Sequence, residues 1–290
     1  MWIDLKEEGL DEKLVLRADG TSVYITQDLG AADLKYQEFN IDKSIYVVGN
    51  EQDYHFNVLI QILKKLERPY ANGVFHLSYG MVDLPSGKMK SREGTVVDAD
   101  DLVDDMVETA AQMTKELGKI DGFTEEQAQK LYHTVGLGAL KYFLIKVDPK
   151  KRMMFNPDES IDFHGHTGPF IQYTHARICS ILRKGKEMGI EANNFTIFPY
   201  QLNKTEREVM VHLLDFNKII NQAAEEYSPA IISMYVFELA KLYNSFYAEV
   251  SIFQENDQDK IKFRIAFSKI VADTIKIGMN LLGIEVPERM

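Results

Sequence analysis

The densest concentration of reactive side chains is Pro85-Ser86-Gly87-Lys88-Met89-Lys90-Ser91-Arg92-Glu93-Gly94-Thr95, with three cations inside five residues and a glycine on each side. Flexible backbone bearing lysine and arginine suits a triphosphate. Such charges can close onto the negative charge that develops on phosphorus oxygens when a phosphoryl or nucleotidyl group is transferred. A second basic stretch spans residues 141–186, with nine basic side chains against four acidic and Lys150-Lys151-Arg152 inside it. Nucleic-acid phosphates are a natural counterpart for it. A plain solvated face is the competing reading of both segments.

The elements that would carry these groups fall into two regimes. Ser22-Val23-Tyr24-Ile25-Thr26 reads as a strand after the turn Ala18-Asp19-Gly20, and a helical pattern follows over residues 28–39. Ser44-Ile45-Tyr46-Val47-Val48 is an apolar run closed by Gly49-Asn50, as expected of a buried parallel strand. A helix over 56–66 and a strand Val74-Phe75-His76-Leu77-Ser78-Tyr79 complete a β-α-β-α-β rhythm. That rhythm predicts a doubly wound parallel sheet, which binds ligands at the carboxyl ends of its strands. From residue 101 the spacing is helical, predicting helices over 101–117, 125–146, 169–188, 204–226, 229–250 and 259–282. Ser228-Pro229 reads as a cap and first turn, and Gly283 as a helix stop. The fold class is therefore α/β followed by an all-α bundle, with domains at 1–125 and 126–290.

The 290 residues include 33 basic and 44 acidic side chains, a net charge of -11 that by itself argues against nucleic acid. The charge is unevenly placed. Residues 1–130 hold 14 basic and 25 acidic side chains, whereas residues 131–290 hold 19 of each. The acidity belongs to the α/β half and leaves the helical half free to meet phosphates. Apolar runs are too short to span a bilayer, and the acidic start lacks a secretory apolar core. Cys179 is the only cysteine. These features predict a reducing, cytoplasmic setting and no resident metal.

Several segments carry a resemblance. Lys88-Met89-Lys90-Ser91-Arg92 resembles the KMSKS signature of class I aminoacyl-tRNA synthetases. Leu16-Arg17-Ala18-Asp19-Gly20-Thr21-Ser22-Val23-Tyr24-Ile25-Thr26-Gln27-Asp28 resembles the R-x-D-G-T-x-x-Y-x-T-x-D stretch of arginyl-tRNA synthetases. Tyr46-Val47-Val48-Gly49-Asn50-Glu51-Gln52-Asp53-Tyr54-His55 is similar to their next strand and turn. Gly165-His166-Thr167-Gly168-Pro169-Phe170-Ile171-Gln172-Tyr173-Thr174-His175-Ala176-Arg177 resembles the element opening their anticodon-binding domain. Gly138-Ala139-Leu140-Lys141 resembles the DALR signature with two departures, and residues 281–290 resemble the family's ending. The matches occur in order and cover nearly the whole chain.

The resemblance implies the second half of a Rossmann-like class I catalytic domain followed by a helical-bundle, DALR-type anticodon-binding domain. It implies an arginine–tRNA ligase acting on L-arginine, ATP with Mg2+ and the cognate tRNA. Tyr24, Asp28 and Gln52 would line the arginine pocket, because a carboxylate accepts two guanidinium donors in parallel and a phenol oxygen takes another. Gly49, Asp53, His55, Met81, Val82, Lys88 and Met89 would meet ATP. The position of the second KMSKS lysine holds Ser91, so Lys88, Lys90 and Arg92 jointly form the expected catalytic clamp. Phe170, Arg177 and His166 would face unpaired anticodon bases, read by stacking on aromatic and guanidinium planes. Lys150, Lys151 and Arg152 would meet RNA phosphates.

The family's HIGH signature precedes the region matched at Leu16, and His164-Gly165-His166 lies in the wrong domain to replace it. The expectation is a carboxyl-terminal portion, monomeric, inactive alone and able to contribute anticodon recognition. One rival is an RNA-binding module without catalysis. Another is a different class I synthetase such as the cysteine enzyme, against which the Tyr24/Asp28 pair and a lone cysteine both argue.

Overall fold

The computed structural model describes residues 1–83, 98–116, 122–190 and 201–290. By compactness the chain divides into one unit of Met1–Val82 with Pro149–Met153 and another of Asp83–Asp148 with Met154–Met290.

The first unit opens on an antiparallel ladder of Trp2–Ile3 (β1) and Lys13–Leu14 (β2). Helix α1 (Tyr24–Phe39), strand β3 (Ser44–Gly49), helix α2 (Asp53–Lys65) and strand β4 (Val74–Tyr79) follow. β3 and β4 pair in parallel from Ser44 opposite Val74 to Gly49 opposite Tyr79. Side chains alternate across such a pair. Tyr46 and His76 pack on Phe56 of α2 at centroid distances of 5.1 and 4.2 Å, while Ile45, Val47, Phe75 and Tyr79 are exposed on the other face. α2 buries Phe56, Val58, Leu59, Ile62 and Leu63, one apolar stripe at helical spacing.

Residues 22–26 do not form the expected strand. Ser22 makes an isolated bridge to Leu16, and the chain is helical from Tyr24. The stripe Ile25, Leu29, Ala32 and Tyr36 packs into the core of this unit. Burying that stripe outweighs the strand propensity of Val23, Ile25 and Thr26. Among the described residues the parallel sheet therefore has two strands, not three.

Val82–Asp83 (β5) and Met153–Met154 (β6) form a short ladder. The helices that follow are α3 (Ala99–Glu116), α4 (Glu125–Ile145), α5 (Pro157–Ser160), α6 (Gly168–Glu187), α7 (Lys204–Leu214), α8 (Phe216–Glu226), α9 (Pro229–Glu249) and α10 (Gln258–Leu281). Their core joins Tyr142, Ile178, Val236, Tyr243, Phe246, Phe267 and Ile275. Among the described residues no helix is long and apolar enough to cross a membrane.

The helical readings hold with two differences. The single helix expected over 204–226 breaks at Asp215, whose N–H bonds back three residues to the His212 carbonyl at 3.2 Å. That carbonyl also accepts the Tyr235 hydroxyl of α9 at 2.9 Å, and the two rings stack at 4.2 Å. A tertiary contact thus ends α7, and no sequence breaker is involved. The cut at 125/126 is likewise not where compactness divides the chain. α3 packs on α4, with Met106 and Ala110 fully buried. A Cβ on Gly136 would stand 2.7 Å from the Met106 carbonyl oxygen, so the two backbones cross at contact distance.

Helix ends follow the sequence signals. Thr124 and Gln127 form a reciprocal capping box. Ser228 occupies the N-cap of α9 before Pro229, although its side chain makes no capping bond. Gly283 has φ +68° just after α10, and Ile284 N–H reaches the Met279 carbonyl at 2.9 Å.

Candidate functional site

The segment before α1 is a folded turn. Thr21 donates from its backbone and hydroxyl to Asp19 Oδ1 at 2.9 and 2.7 Å. These bonds hold the Asp19 carboxyl below its usual range, the hydroxyl contributing most. Arg17 Nη1 donates to the Ser22 carbonyl at 2.7 Å and to Thr21 Oγ1 at 3.2 Å, and Gly20 takes φ +80°. Arg17, Asp19, Gly20 and Thr21 therefore build the turn, and the helix after it presents Tyr24 and Asp28. These two stand one helical turn apart on α1, not at a strand end. Tyr24 is 83% exposed.

Asp28 meets His55. His55 Nε2 lies 2.7 Å from Asp28 Oδ2, joining α1 one turn in from its start to the first turn of α2. Gly49 ends β3, the turn Asn50–Gln52 follows, and Asp53 begins α2. Gln52 and Asp53 are exposed there. A carboxylate at the first turn of a helix also interacts favourably with the helix dipole. Beneath them His76 Nδ1 approaches Asp53 Oδ1 at 3.4 Å, and His76 Nε2 donates to the Val48 carbonyl at 3.0 Å. Beside His55 a cavity of about 110 Å³ is lined by Lys13, Ile25, Tyr54 and Val58. Tyr54 donates to Asp11 Oδ2 at 2.9 Å.

Met81 and Val82 follow the end of β4. The Met81 carbonyl accepts Met153 N–H at 3.1 Å, so that oxygen is already engaged. Gly49 is not in a left-handed conformation, and a Cβ there would stand 3.8 Å from the Tyr79 ring, an ordinary contact. Lys88, Met89, Lys90 and Arg92 lie outside the described residues.

The residues expected to meet RNA do not form one group. Phe170, Arg177 and His166 belong to the helical unit. Lys150, Lys151 and Arg152, all exposed, belong to the compact unit of β3 and β4. A Cβ on Gly80 would stand 2.4 Å from the Lys151 carbonyl oxygen, and Gly80 N–H donates to Pro149 at 2.7 Å. That backbone contact overrides proximity in sequence to the anticodon-like element.

His166 is a packing residue. Its ring lies 4.0 Å from Phe237, and its Nε2 donates to the Tyr142 hydroxyl at 2.9 Å. That hydroxyl donates onward to the Ser233 carbonyl at 2.8 Å. Burial, then the nearby Lys146, holds the His166 imidazole below its usual value. Phe170 is the third residue of α6, half-buried, with one face on Phe237 at 5.5 Å. Arg177 is the best-placed of the three for stacking. Its guanidinium lies 4.8 Å from the Tyr173 ring and 5.3 Å from Tyr247, with Nη1 2.6 Å from Asn244 Oδ1. Tyr173 could be found from its spacing one turn before Arg177. Asn244 and Tyr247 come from α9 and carried no sequence signal.

The DALR-like tetrapeptide is structural. Gly138, Ala139 and Leu140 are buried, and Lys141 Nζ donates at 2.7 Å to the Gly283 carbonyl, just past the end of α10 and 142 residues away.

Residues 3–156 match the family of class I tRNA synthetases for arginine, catalytic domain, and residues 171–290 match the DALR anticodon binding domain. The chain is 60% identical over 296 residues to the arginine–tRNA ligase of Amoebophilus asiaticus and 56% identical over 290 to that of Bacteroides thetaiotaomicron. Each alignment covers 100% of this chain and 49% of the relative. Among solved structures, Thermus thermophilus arginyl-tRNA synthetase superposes with a TM-score of 0.84 at 25% identity, over 100% of this chain and 53% of that one. The Plasmodium falciparum enzyme shares the fold, with a TM-score of 0.82 at 22% identity over 98% of this chain and 48% of that one. The chain spans about half the length of the curated relatives it matches, and it belongs to the class I arginyl-tRNA synthetases.

Proposed function

We propose that this chain supplies the arginine-binding, KMSKS-side half of an arginine–tRNA ligase together with its anticodon-binding domain. The reading rests on Asp28, a half-exposed carboxylate held by His55 one helical turn from the exposed phenol of Tyr24. A fixed carboxylate with a phenol beside it suits a planar cationic side chain. Gln52 completes the pocket, and Gly49, Asp53 and the backbone at Met81 and Val82 meet ATP at the carboxyl ends of the strands.

In the reaction the arginine carboxylate oxygen attacks the α-phosphorus of ATP, which arrives with Mg2+. The bond to the β,γ-unit breaks, giving arginyl-adenylate and pyrophosphate. A ribose hydroxyl of the terminal tRNA adenosine then attacks the adenylate carbonyl. AMP leaves, and the hydroxyl proton is lost to solvent or base. Lys88, Lys90 and Arg92 supply the charge that stabilises the leaving pyrophosphate. The helical half reads the anticodon through Arg177 and the rings beside it, while Lys150, Lys151 and Arg152 contribute phosphate contacts. The protein acts as a monomer in the cytoplasm. We retain 125/126 as the functional division between chemistry and anticodon recognition.

The test uses two proteins: the 290-residue chain alone, and a chimera that completes it with the amino-terminal half of the Bacteroides thetaiotaomicron relative. The chimera should catalyse arginine-dependent ATP–pyrophosphate exchange when tRNA is present, and the chain alone should not. Exchange by the chain alone would refute the division of labour. A second reading, an RNA-binding module without catalysis, is favoured by the Arg177 platform. It predicts salt-dependent binding of arginine tRNA by the chain and no exchange by the chimera.

A further inference from the structure

Two histidines hold two substrate-side carboxylates in the first unit, on either side of one ring. Phe56 is buried, stacked on His76 at 4.2 Å and 27° and edge-on to His55 at 5.6 Å and 87°. With Phe56 behind it, the His55 ring is confined where it meets Asp28. Its Nε2 lies 2.7 Å from Asp28 Oδ2, and the side chains of His55 and Asp28 are 28% and 40% exposed. Among the described residues no group donates to Asp28 Oδ1.

We infer that His55 is a positioning residue for cation recognition, fixing the Asp28 carboxylate so that Oδ1 and the remaining lone pairs are presented to the substrate guanidinium. This rests on the reading of Asp28 as the arginine carboxylate. The chemistry of the pair supports it. An ionised carboxylate can only accept, so the shared proton sits on Nε2 and the ring donates. The donor orients the carboxylate through Oδ2 and leaves Oδ1 and its share of the negative charge for the ligand. A lysine or arginine at 55 would neutralise that charge and compete with the substrate. Without any donor, Asp28 has no tie to α2, and each binding event must restrict its rotamers afresh. His55 therefore acts on the arginine side of the site through Asp28, although the turn it follows faces the nucleotide.

The chimera separates these effects by steady-state kinetics. H55A should raise the KM for arginine about tenfold, the loss of one charge-assisted hydrogen bond, with kcat and the KM for ATP within about twofold. Glutamine places an amide donor near the reach of Nε2, so H55Q should recover most of that loss. H55K should be worse than H55A because its ammonium opposes the incoming cation. Equal arginine KM values for the unmodified chimera, H55A and H55K would overturn the proposal, as would equal losses for arginine and ATP. D28N keeps the outcomes distinct. If D28N also leaves the arginine KM unchanged, the assignment of Asp28 fails. If D28N raises it and H55A does not, only the role of His55 fails. A second measurement needs no catalysis. Long-range 1H–15N spectra of the 290-residue chain should show His55 as the Nε2–H tautomer, and D28N should release that preference. An Nδ1–H tautomer in the unmodified chain would also overturn the proposal.

Discussion

Gly138→Ala tests the packing that carries the anticodon-domain helices. A Cβ at 138 falls 2.4 Å from Gln172 Nε2, 3.0 Å from its Cδ and 3.1 Å from its Oε1. Gln172 is fully buried, and its amide donates to the Thr134 carbonyl at 3.0 Å and the Glu285 carbonyl at 2.8 Å. The two helices are already in close contact here, since a Cβ on the facing Gly168 would stand 2.6 Å from the Gly138 carbonyl oxygen. α4 and α6 therefore meet backbone to backbone, with Gln172 tying both to the segment after α10. Admitting a methyl group breaks two bonds worth about 1 kcal/mol each and adds about 1–3 kcal/mol of overpacking. Alanine's better helix propensity offsets about 1 kcal/mol. The net expectation is a loss of about 2–4 kcal/mol, or roughly 5–15 °C in melting temperature for a unit of this size. Circular dichroism melts and urea titrations of the helical signal measure it. Gly30→Ala in α1 is the control. Nothing lies within 4 Å of its added Cβ, so it should be neutral or stabilise by up to about 1 kcal/mol. If G138A melts at or above the unmodified chain, helix propensity dominates and the close-crossing argument is wrong.

Glu206 is fully buried, caps α7 through the Asn203 N–H at 2.9 Å and accepts Arg264 Nε at 3.0 Å. E206A leaves a buried guanidinium short of a partner and should lose about 3–5 kcal/mol, with E206Q losing less because its carbonyl still caps; equal melts for the two would refute the ordering. His166 and His175 are both held below the usual imidazole value, each mainly by burial. The unfolded chain then binds more protons than the folded one. Stability should be full above about pH 6.5 and fall as the pH drops toward the folded-state values. A melting temperature that stays flat from pH 7.5 to 5 would contradict this. R177K keeps the charge but loses the planar fork between two tyrosine rings. It should weaken arginine-tRNA binding several-fold with little change in the salt slope, measured by filter binding at several salt concentrations.

The grouping of the candidate residues was legible because they are near one another in sequence. Asp53 and His55 follow the end of β3 within one short segment, and Tyr24 and Asp28 are spaced by one helical turn. Their local setting was harder to read. Val23, Ile25 and Thr26 favour extended backbone, and only the packing of Ile25, Leu29, Ala32 and Tyr36 against α2 makes that segment a helix. The α7–α8 break has no glycine or proline to announce it, since it is made by a hydroxyl from α9.

The succession of most helices, the helix stop at Gly283 and the motifs that relate the chain to its family were legible in the sequence alone. Those features depend on neighbours within a few residues, or on exact residue types at exact spacings. Tertiary structure decided which candidates touch. It joined Asp28 to His55 across 27 residues and placed Arg177 between tyrosines of two helices. It tied the DALR-like lysine to the Gly283 carbonyl, 142 residues away and just past α10. It also grouped Lys150–Arg152 with the parallel-strand unit. Each of these is a contact between surfaces that sequence periodicity can orient but cannot pair. The pairing is set by close packing, where a single Cβ at Gly80, Gly136 or Gly138 would not fit without displacing its neighbour.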